Sequence, residues 1–534
     1  MPRFGRECAS KNLTVEASAP PFSNFAFVEK HFGGLRTLRR ILSQARSHLA
    51  KTMVIEDIDP DDAVDLREEN EDLRKRYGCL TGSRVCRLSF FTKPFLTEAG
   101  LKSATDAEFI GYAILKTDEV PGGTPRTRVF ESVLRASRHD NNFVRGASKW
   151  KCQIGTSCHH VSGYIYAQQN GMTNSCAHVA CRTAAARYHP DGDMTYRQMN
   201  DLPGIGINHT TKTSDGGLTS AQIVEVLEAA GARCIVGDYT TLKPGITAPP
   251  FHKYIYGSIE SGSPAIICFA TTKGGYHAVP VFGHTFNEDT WVPCAERSYF
   301  RVGAGTAYTP SDSWLSAYVA HDDNWGSNFC IPRHFLYTSR VCRKWPAGAK
   351  LCEEETERVA YVIATFPKVV QVSSIEAEVI GADFFFSMLP QLASLSEPWE
   401  QRLRLCAKQK TLILRPVLIS ASQYASHLSE VRDWNGKPIR GLLLAALKSV
   451  KEGKVWMVEL SVPELFQANR RKVGEVLIRA EISPGTKRDF KSFFLARLPS
   501  HFALYKKGGP ASPEYSFIPS GIDGHVQLWG CEDS

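Results

Sequence analysis

Residues 163–188 read GYIYAQQNGMTNSCAHVACRTAAARY, and they fall into three parts of different composition. An apolar, aromatic run comes first, a polar turn follows, and an alanine-rich stretch begins at Cys176. Alanine favours helix and Asn174 or Ser175 is a suitable N-cap, so this order predicts a helix that starts near Cys176. Its small side chains would let it pack closely against a sheet, with its first turn exposed in a cleft.

A cysteine in the first turn of a helix lies beside unpaired backbone N–H groups and the positive end of the helix dipole. Both stabilise negative charge, so the thiolate is favoured and the sulfur becomes a better nucleophile. Cysteine is also among the most buried residue types, and most of the 15 cysteines are expected to be small core residues. The predicted helix start distinguishes Cys176 from them.

A nucleophilic thiolate needs a base that can also protonate a leaving group, and histidine titrates in the right range. Residues 255–286, IYGSIESGSPAIICFATTKGGYHAVPVFGHTF, predict a helix, a Gly/Pro turn, a buried strand, a Gly-Gly turn and a second strand. His277 opens this second strand, so we expect it to be the general acid and base. The alternative is a hydrogen-bonded core histidine.

A third residue would orient the imidazole by accepting its other N–H. The stretch SAYVAHDDNWG predicts a strand with an acidic end, and we assign this role to Asp322, with Asp323 and Asn324 as alternatives. Asn287 and Asp289 are closer along the chain but lie in a predicted turn, so they rank second. Aspartate and asparagine also favour turns for structural reasons, which is the competing explanation.

An attacked carbonyl becomes an oxyanion, which hydrogen-bond donors must stabilise. The backbone N–H of Cys176 is one candidate donor. Gln169 and Gln168 precede the cysteine closely enough for a side-chain amide to supply the second, unless they are only solvated loop residues.

Four motifs in this order resemble those of the papain-like cysteine peptidases, and within them the bacteriocin-processing branch that removes double-glycine leaders. The motifs are QQNGMTNSCAHVA, ESGSPAIICFA, HAVPVFG and HDDNWG. The resemblance implies a Cys176 nucleophile, a His277 acid and base, an orienting Asp322 and a Gln169 oxyanion donor. It covers about a third of the chain. The interval between His277 and Asp322 is longer than in that family and implies an insertion from about His284 to Ser313, which would form a lid.

The expected activity is therefore that of a cysteine peptidase or isopeptidase, which hydrolyses an amide bond through a thioester. The same triad also supports transglutaminase or deamidase chemistry. A papain-like fold that has become an inactive binding scaffold is the alternative from another class.

A chain of 534 residues is too long for a single core. Helical spacing at the N-terminus, followed by the short β-prone runs RVCRLSFF, EFIGYAILK and RVFESVL, predicts a helical start and a small antiparallel sheet. We divide the chain into an N-terminal region 1–150, a papain-like domain 151–348 and a C-terminal α/β domain 349–534, which together make an α+β protein.

Composition excludes several classes. Hydrophobic residues at 43% and charged residues at 22% are typical of a folded soluble protein, and a net charge of +8 without a long Lys/Arg run makes nucleic-acid binding unlikely. No stretch suits a membrane span or a signal peptide, so we expect a cytoplasmic, bacterial protein with reduced thiols. Its partners would be a peptide or protein substrate and a regulatory protein bound by the flanking domains.

We expect no cofactor and no metal. The stretch KCQIGTSCHHVSG brings together Cys152, Cys158, His159 and His160, but their spacing matches no common structural zinc pattern.

Overall fold

A computed structural model of the protein describes residues 1–17, 32–77, 82–119, 122–136, 142–170, 176–203, 217–240, 249–270, 276–286, 307–333, 336–337, 357–394, 397–433, 435–439, 453–481, 493–507, 514–522 and 524–531. Two compact units interleave along the chain. The first comprises Met1–Cys234, Gly262–Gly283 and Tyr318–Thr365, and the second comprises Ile235–Ser261, His284–Ala317 and Phe366–Ser534. The division into three consecutive domains stays a prediction.

The protein is a mixed α+β structure, with eleven α-helices in the described residues. They are α1 Arg36–Ser47, α2 Val64–Tyr77, α3 Glu98–Leu101, α4 Cys176–Ala185, α5 Tyr196–Asp201, α6 Ser220–Ala229, α7 Phe251–Glu260, α8 Ser374–Met388, α9 Glu397–Gln409, α10 Ala421–Glu430 and α11 Pro463–Asn469. In the described part of the chain, no helix combines the length and the apolar character that a membrane span requires.

The strands are numbered in chain order. They are β1 Asn12–Ala17, β2 Thr52–Ile58, β3 Gly82–Phe91, β4 Phe109–Glu119, β5 Arg126–Leu134, β6 Asn142–Val144, β7 Ser148–Ile154, β8 Ser157–Gly163, β9 Ala232–Asp238, β10 Ala265–Ala270, β11 Tyr276–Phe286, β12 Thr309–Pro310, β13 Leu315–Asp322, β14 Gly326–Pro332, β15 Leu336–Tyr337, β16 Glu357–Pro367, β17 Ile413–Ser420, β18 Lys454–Ser461, β19 Arg471–Lys472, β20 Gly474–Arg479, β21 Phe493–Leu498, β22 His501–Lys507, β23 Glu514–Pro519 and β24 Val526–Gln527.

The N-terminal sheet is an antiparallel meander in the order β1-β2-β3-β4-β5. The predicted strands β3, β4 and β5 are confirmed, and the predicted helical start is present as α1 and α2, but it also contains the strands β1 and β2, which the sequence did not predict. An acidic residue in the middle of β2, Glu56, obscures its apolar pattern. Glu56 is fully buried and pairs with Arg87 on β3.

The central sheet has the strand order β14-β13-β11-β10-β16-β15, with β6 beside β11 and β9 beside β16. The predicted helix and strands around His277 are confirmed as α7, β10 and β11, and the strand that ends in Asp322 is confirmed as β13. Strand β10 runs antiparallel to both β11 and β16. The second residue of β11 is His277, which therefore lies at an end of this sheet.

Helix α4 packs on this sheet through its small residues. Ala177, Ala180 and Ala184 are buried in one apolar cluster with Ile266 of β10 and Ala278 of β11. Small side chains let the helix axis approach the sheet, as the sequence predicted. Cys176 begins the helix and is half-buried, so the first turn is the accessible end of an otherwise buried element.

The sheet of the second unit has the order β12-β17-β18-β20-β21-β22-β23. Apart from the two-residue β12, its neighbouring strands pair antiparallel. The C-terminal α/β domain stays a prediction as a domain. Helix α10 lies between β17 and β18 in the sequence, yet the two strands run in opposite directions. Strand order along the chain does not fix strand direction.

Candidate active site

Cys176 lies next to the strand that carries His277. Its Sγ is 4.0 Å from the carbonyl oxygen of Tyr276, the residue that precedes this histidine. The backbone N–H groups of the first turn of α4 have no partner within the helix, so the sulfur lies where negative charge is stabilised. The proposed caps Asn174 and Ser175 lie outside the described residues.

The imidazole of His277 faces two carboxylates through one nitrogen. Its Nε2 lies 3.2 Å from Asp322 Oδ2 and 3.4 Å from Asp323 Oδ1. Burial lowers the pKa of His277, but hydrogen bonds with Asp322 and Cys176, together with the charges of both carboxylates, raise it to about 11. The ring is therefore positively charged at neutral pH. Because Nε2 is taken by the carboxylates, Nδ1 is the nitrogen left for the sulfur.

The two aspartates differ in how they are held. One oxygen of Asp322, Oδ1, accepts the backbone N–H groups of Asn324 at 2.8 Å and Trp325 at 3.0 Å, which leaves Oδ2 for the imidazole. The turn closes at Gly326, whose φ of 114° is a conformation that L side chains rarely adopt. Backbone donors thus fix the orientation of the Asp322 carboxylate toward His277.

Asp323 is held differently, although the backbone N–H groups of Asp323 and Asn324 also favour its charged form. Its Oδ1 accepts a hydrogen bond from Asn324 Nδ2 at 3.2 Å, and its Oδ2 is buried with no hydrogen-bond partner among the described residues. Burial raises the pKa of Asp323, His277 lowers it and Asp322 raises it, to a net value of about 6. Of the alternatives left open by the sequence, Asp322 has the geometry of an orienting residue. Asp323 is a second carboxylate beside it, and burial disfavours its charged form.

The two glutamines have different surroundings. Gln168 Oε1 accepts hydrogen bonds from Thr37 Oγ1 at 3.0 Å and from the backbone N–H of Val129 at 3.1 Å, so its amide joins parts of the first unit. Gln169 instead donates from Nε2 to Asn324 Oδ1 at 3.2 Å. The Gln169 amide is therefore connected to the turn that carries Asp322. Its role toward an oxyanion stays a prediction.

Asn324 is the residue whose contribution the sequence did not reveal. It was an alternative to Asp322, but its side chain bonds Asp323 on one side and Gln169 on the other. The favourable turn composition of DDNWG was a signal for the turn itself. No local signal marks the link to Gln169, which is 155 residues distant in sequence.

A metal ion has one group of potential ligands in the part of the chain that the structure describes. His277, Asp322 and Asp323 each offer an atom, and these atoms lie within 4.8 Å of one another. The same short distances also result when one imidazole nitrogen lies between two carboxylates and bonds both. The residues of the KCQIGTSCHHVSG stretch form no such group there. Cys152 and His159 are buried in that hairpin, whereas Cys158 is exposed.

Other predicted features lie wholly or partly outside the described residues. Asn287 and Asp289, the lower-ranked acids, are among these, as are residues 287–306 of the proposed lid. The described ends of that segment are buried at His284 and at Ser311–Trp314.

A scan against protein-family models and searches of curated proteins and solved structures gave no significant match to this chain.

Proposed function

We propose that the protein is a cysteine peptidase or isopeptidase with a papain-like arrangement of Cys176, His277 and Asp322. One observation carries this proposal: three residues from separate segments converge at one end of the central sheet. The sulfur lies at a helix start beside the strand that carries the imidazole, and a fixed carboxylate faces that imidazole. Nucleophile, acid/base and orienting acid in this order form the constellation that amide hydrolysis through a thioester requires.

The charged imidazole supports the first half of the reaction. An imidazolium beside Cys176 stabilises the thiolate, whose electron pair attacks the substrate carbonyl carbon while the C=O π electrons move to oxygen. The backbone N–H of Cys176 and the amide of Gln169 would donate to this oxyanion. The carbonyl then re-forms, the C–N bond breaks, and His277 gives its proton to the leaving amine.

The second half uses His277 as a base. The neutral imidazole removes a proton from water, the resulting hydroxide attacks the thioester carbonyl, and the carboxylic acid leaves as the sulfur regains its electron pair. An amine in place of water gives acyl transfer, and glutamine as substrate gives deamidation. The triad supports these reactions equally, and they are outcomes of the assay below.

The reactivity of the sulfur tests the proposal directly. Cys158 and Cys330 are exposed free cysteines of the same chain and serve as internal controls. At pH 6, iodoacetamide should alkylate Cys176 at least about tenfold faster than either control, because a thiolate reacts and a thiol does not. His277→Asn should remove this advantage. Peptide mass spectrometry gives all three rates in one sample. Equal pH profiles at the three cysteines would favour the inactive scaffold.

Catalysis is tested with a cell lysate treated with wild type or Cys176→Ala. We expect new protein N-termini with the wild type and a loss of at least about 10⁴-fold in their rate of formation with the variant. The same reaction with a labelled primary amine separates hydrolysis from acyl transfer. A chelator should leave the rate unchanged, whereas loss of activity with chelator and retention in Cys176→Ala would indicate that the His277 group binds a catalytic metal.

A further inference from the structure

Exposed aromatic side chains are concentrated at the reacting residues. Among the aromatic residues that the structure describes, Tyr276 and Trp325 are the two whose large rings are exposed, at 54% and 52%. Exposed aromatic rings are costly in water and are enriched where proteins bind partners. Both exposed rings belong to residues next to the same triad, which indicates that they contact a bound substrate.

Each of these residues is bound to the triad through its backbone. The carbonyl oxygen of Tyr276 lies 4.0 Å from Cys176 Sγ. The backbone N–H of Trp325 donates to Asp322 Oδ1 at 3.0 Å. Their positions relative to the reacting atoms are therefore fixed by the same contacts that build the site.

The two residues lie on neighbouring parts of the sheet, because Tyr276 precedes His277 on β11 and Trp325 follows β13, the strand that pairs with β11. Tyr276 makes an edge-on contact with Tyr361 of β16, with ring centroids 5.6 Å apart, and β16 lies two strands from β11. Trp325 lies in the turn between β13 and β14, on the other side of β11. At roughly 4.8 Å per strand, β13 and β16 are roughly 14 Å apart, so an extended segment of at most about four residues would span both contacts.

The Trp325 flank carries a positive charge. The exposed guanidinium of Arg36 on α1 lies 4.9 Å from the Trp325 ring centre, and Phe329 stacks on the same ring at 6.1 Å. No carboxylate of the described residues pairs with Arg36. The nearby carboxylates of Asp322 and Asp323 are buried against His277. An acidic side chain of a bound peptide would therefore have Arg36 as its partner.

We propose that the substrate is an extended peptide segment with an acidic residue at Arg36 and Trp325 and an apolar residue at Tyr276, within about four positions of each other. This inference rests on the proposed peptidase function. The flat aromatic surfaces supply apolar contact area, and the arginine supplies charge selectivity. Arg36, Trp325 and Tyr276 are thus specificity-determining residues, and none takes part in bond breaking.

The probe is a proteome-derived peptide library with blocked amines, digested by the full-length protein. Mass spectrometry of the products gives the residues around each cleaved bond. For the wild type we expect Asp or Glu enriched at one fixed position and apolar residues enriched at a second fixed position within about four residues of it. Arg36→Glu should lower the cleavage rate of acidic peptides roughly tenfold and favour Lys or Arg at that position. Tyr276→Ala should remove the apolar enrichment.

Arg46→Glu is the matched control, because Arg46 is an exposed residue of the same helix and the charge change is identical. Its cleavage profile should equal that of the wild type. Equal melting temperatures and equal alkylation rates of Cys176 show that each variant is folded around an intact site. Wild-type cleavage without acidic preference, or equal profiles for Arg36→Glu and Arg46→Glu, overturns this inference and leaves the peptidase function standing. Failure of the wild type to cleave any peptide overturns both.

Discussion

Both units bury charged side chains. In the second unit the positive and negative charges balance, whereas negative charge predominates at the reacting residues of the first unit. In the second unit, Arg415, Glu459, Glu475 and Arg497 occupy directly opposed positions on β17, β18, β20 and β21. All four are buried, and neighbouring strands supply their partners. At the end of the central sheet, by contrast, one imidazole faces two carboxylates, and its side chain is 19% exposed.

The ladder of the second unit is electrically complete. Lys472 bonds Glu459 at 2.6 Å and lies 3.6 Å from Glu475, and Glu260 adds a carboxylate at the other end, bound to Arg415. Three carboxylates and three Lys or Arg side chains therefore meet in this group, and His284 Nε2 also bonds Glu260 at 2.7 Å. Burial raises the pKa of Glu475, but the charges of Arg497 and Lys472 lower it by more, so that the net pKa is about 2. A balanced group of this kind keeps its charges and has no reason to exchange protons near neutral pH.

The charges around the triad are not balanced in this way. Asp323 keeps a buried oxygen without a partner among the described residues, and a thiol that can carry negative charge lies beside the same imidazole. Excess negative charge around one accessible histidine makes proton transfer possible. Balanced charges at buried positions of a sheet stabilise the fold and have no catalytic role. This comparison predicts that substitutions in the ladder change stability and that substitutions in the triad change the reaction.

The largest effect is expected for Glu459→Gln. The substitution leaves three buried cations facing two carboxylates, because Arg415 keeps Glu260 and Lys472 keeps only the longer contact with Glu475, and this should lower the free energy of unfolding by about 3–5 kcal/mol. Urea denaturation followed by circular dichroism measures the change. Glu464→Gln is the control, because Glu464 pairs with Arg402 on the surface, with side chains 48% and 39% exposed, and its loss should cost less than about 1 kcal/mol. Equal costs for the two variants would contradict a structural role for the ladder.

Sequence predicted the elements of the site better than their connections. Helix α4 and strands β10, β11 and β13 have local signals, namely an alanine-rich run, glycine turns and apolar stretches, and these suffice for elements. The sequence could not separate Asp322 from Asp323, because the difference depends on which oxygen receives backbone N–H groups in a turn. It gave no sign of the ladder either. Arg415 and Glu459 oppose each other only through the register of strands 44 residues apart.

Asp322→Asn tests which carboxylate orients the histidine. An amide can still accept the backbone N–H groups of the turn, but it cannot stabilise the imidazolium as a carboxylate does. We expect kcat for peptide cleavage to fall about 10²-fold, or about 2.7 kcal/mol, with KM nearly unchanged, because Asp323 partly replaces the lost charge. The double variant with Asp323→Asn should lose considerably more. A larger loss for Asp323→Asn than for Asp322→Asn would reverse the two assignments.

The smallest effect sharpens the comparison most, because removing the charge of Asp323, which lies beside the triad, should stabilise the protein. The pKa of Asp323 is raised to about 6, so the folded state holds this proton more tightly than the unfolded state. Stability from the bound proton is present at low pH and is lost as the pH rises through 6. Asp323→Asn does not titrate there. Its free energy of unfolding should match that of the wild type below pH 4 and exceed it by about 1–2 kcal/mol above pH 6, less than the full shift allows, because local relaxation and water penetration reduce the cost of a buried charge. Denaturation curves across this pH range measure the difference. A variant less stable than the wild type at pH 7 would mean that Asp323 is as well compensated as the ladder, and charge balance would then no longer distinguish the reactive region from the inert one.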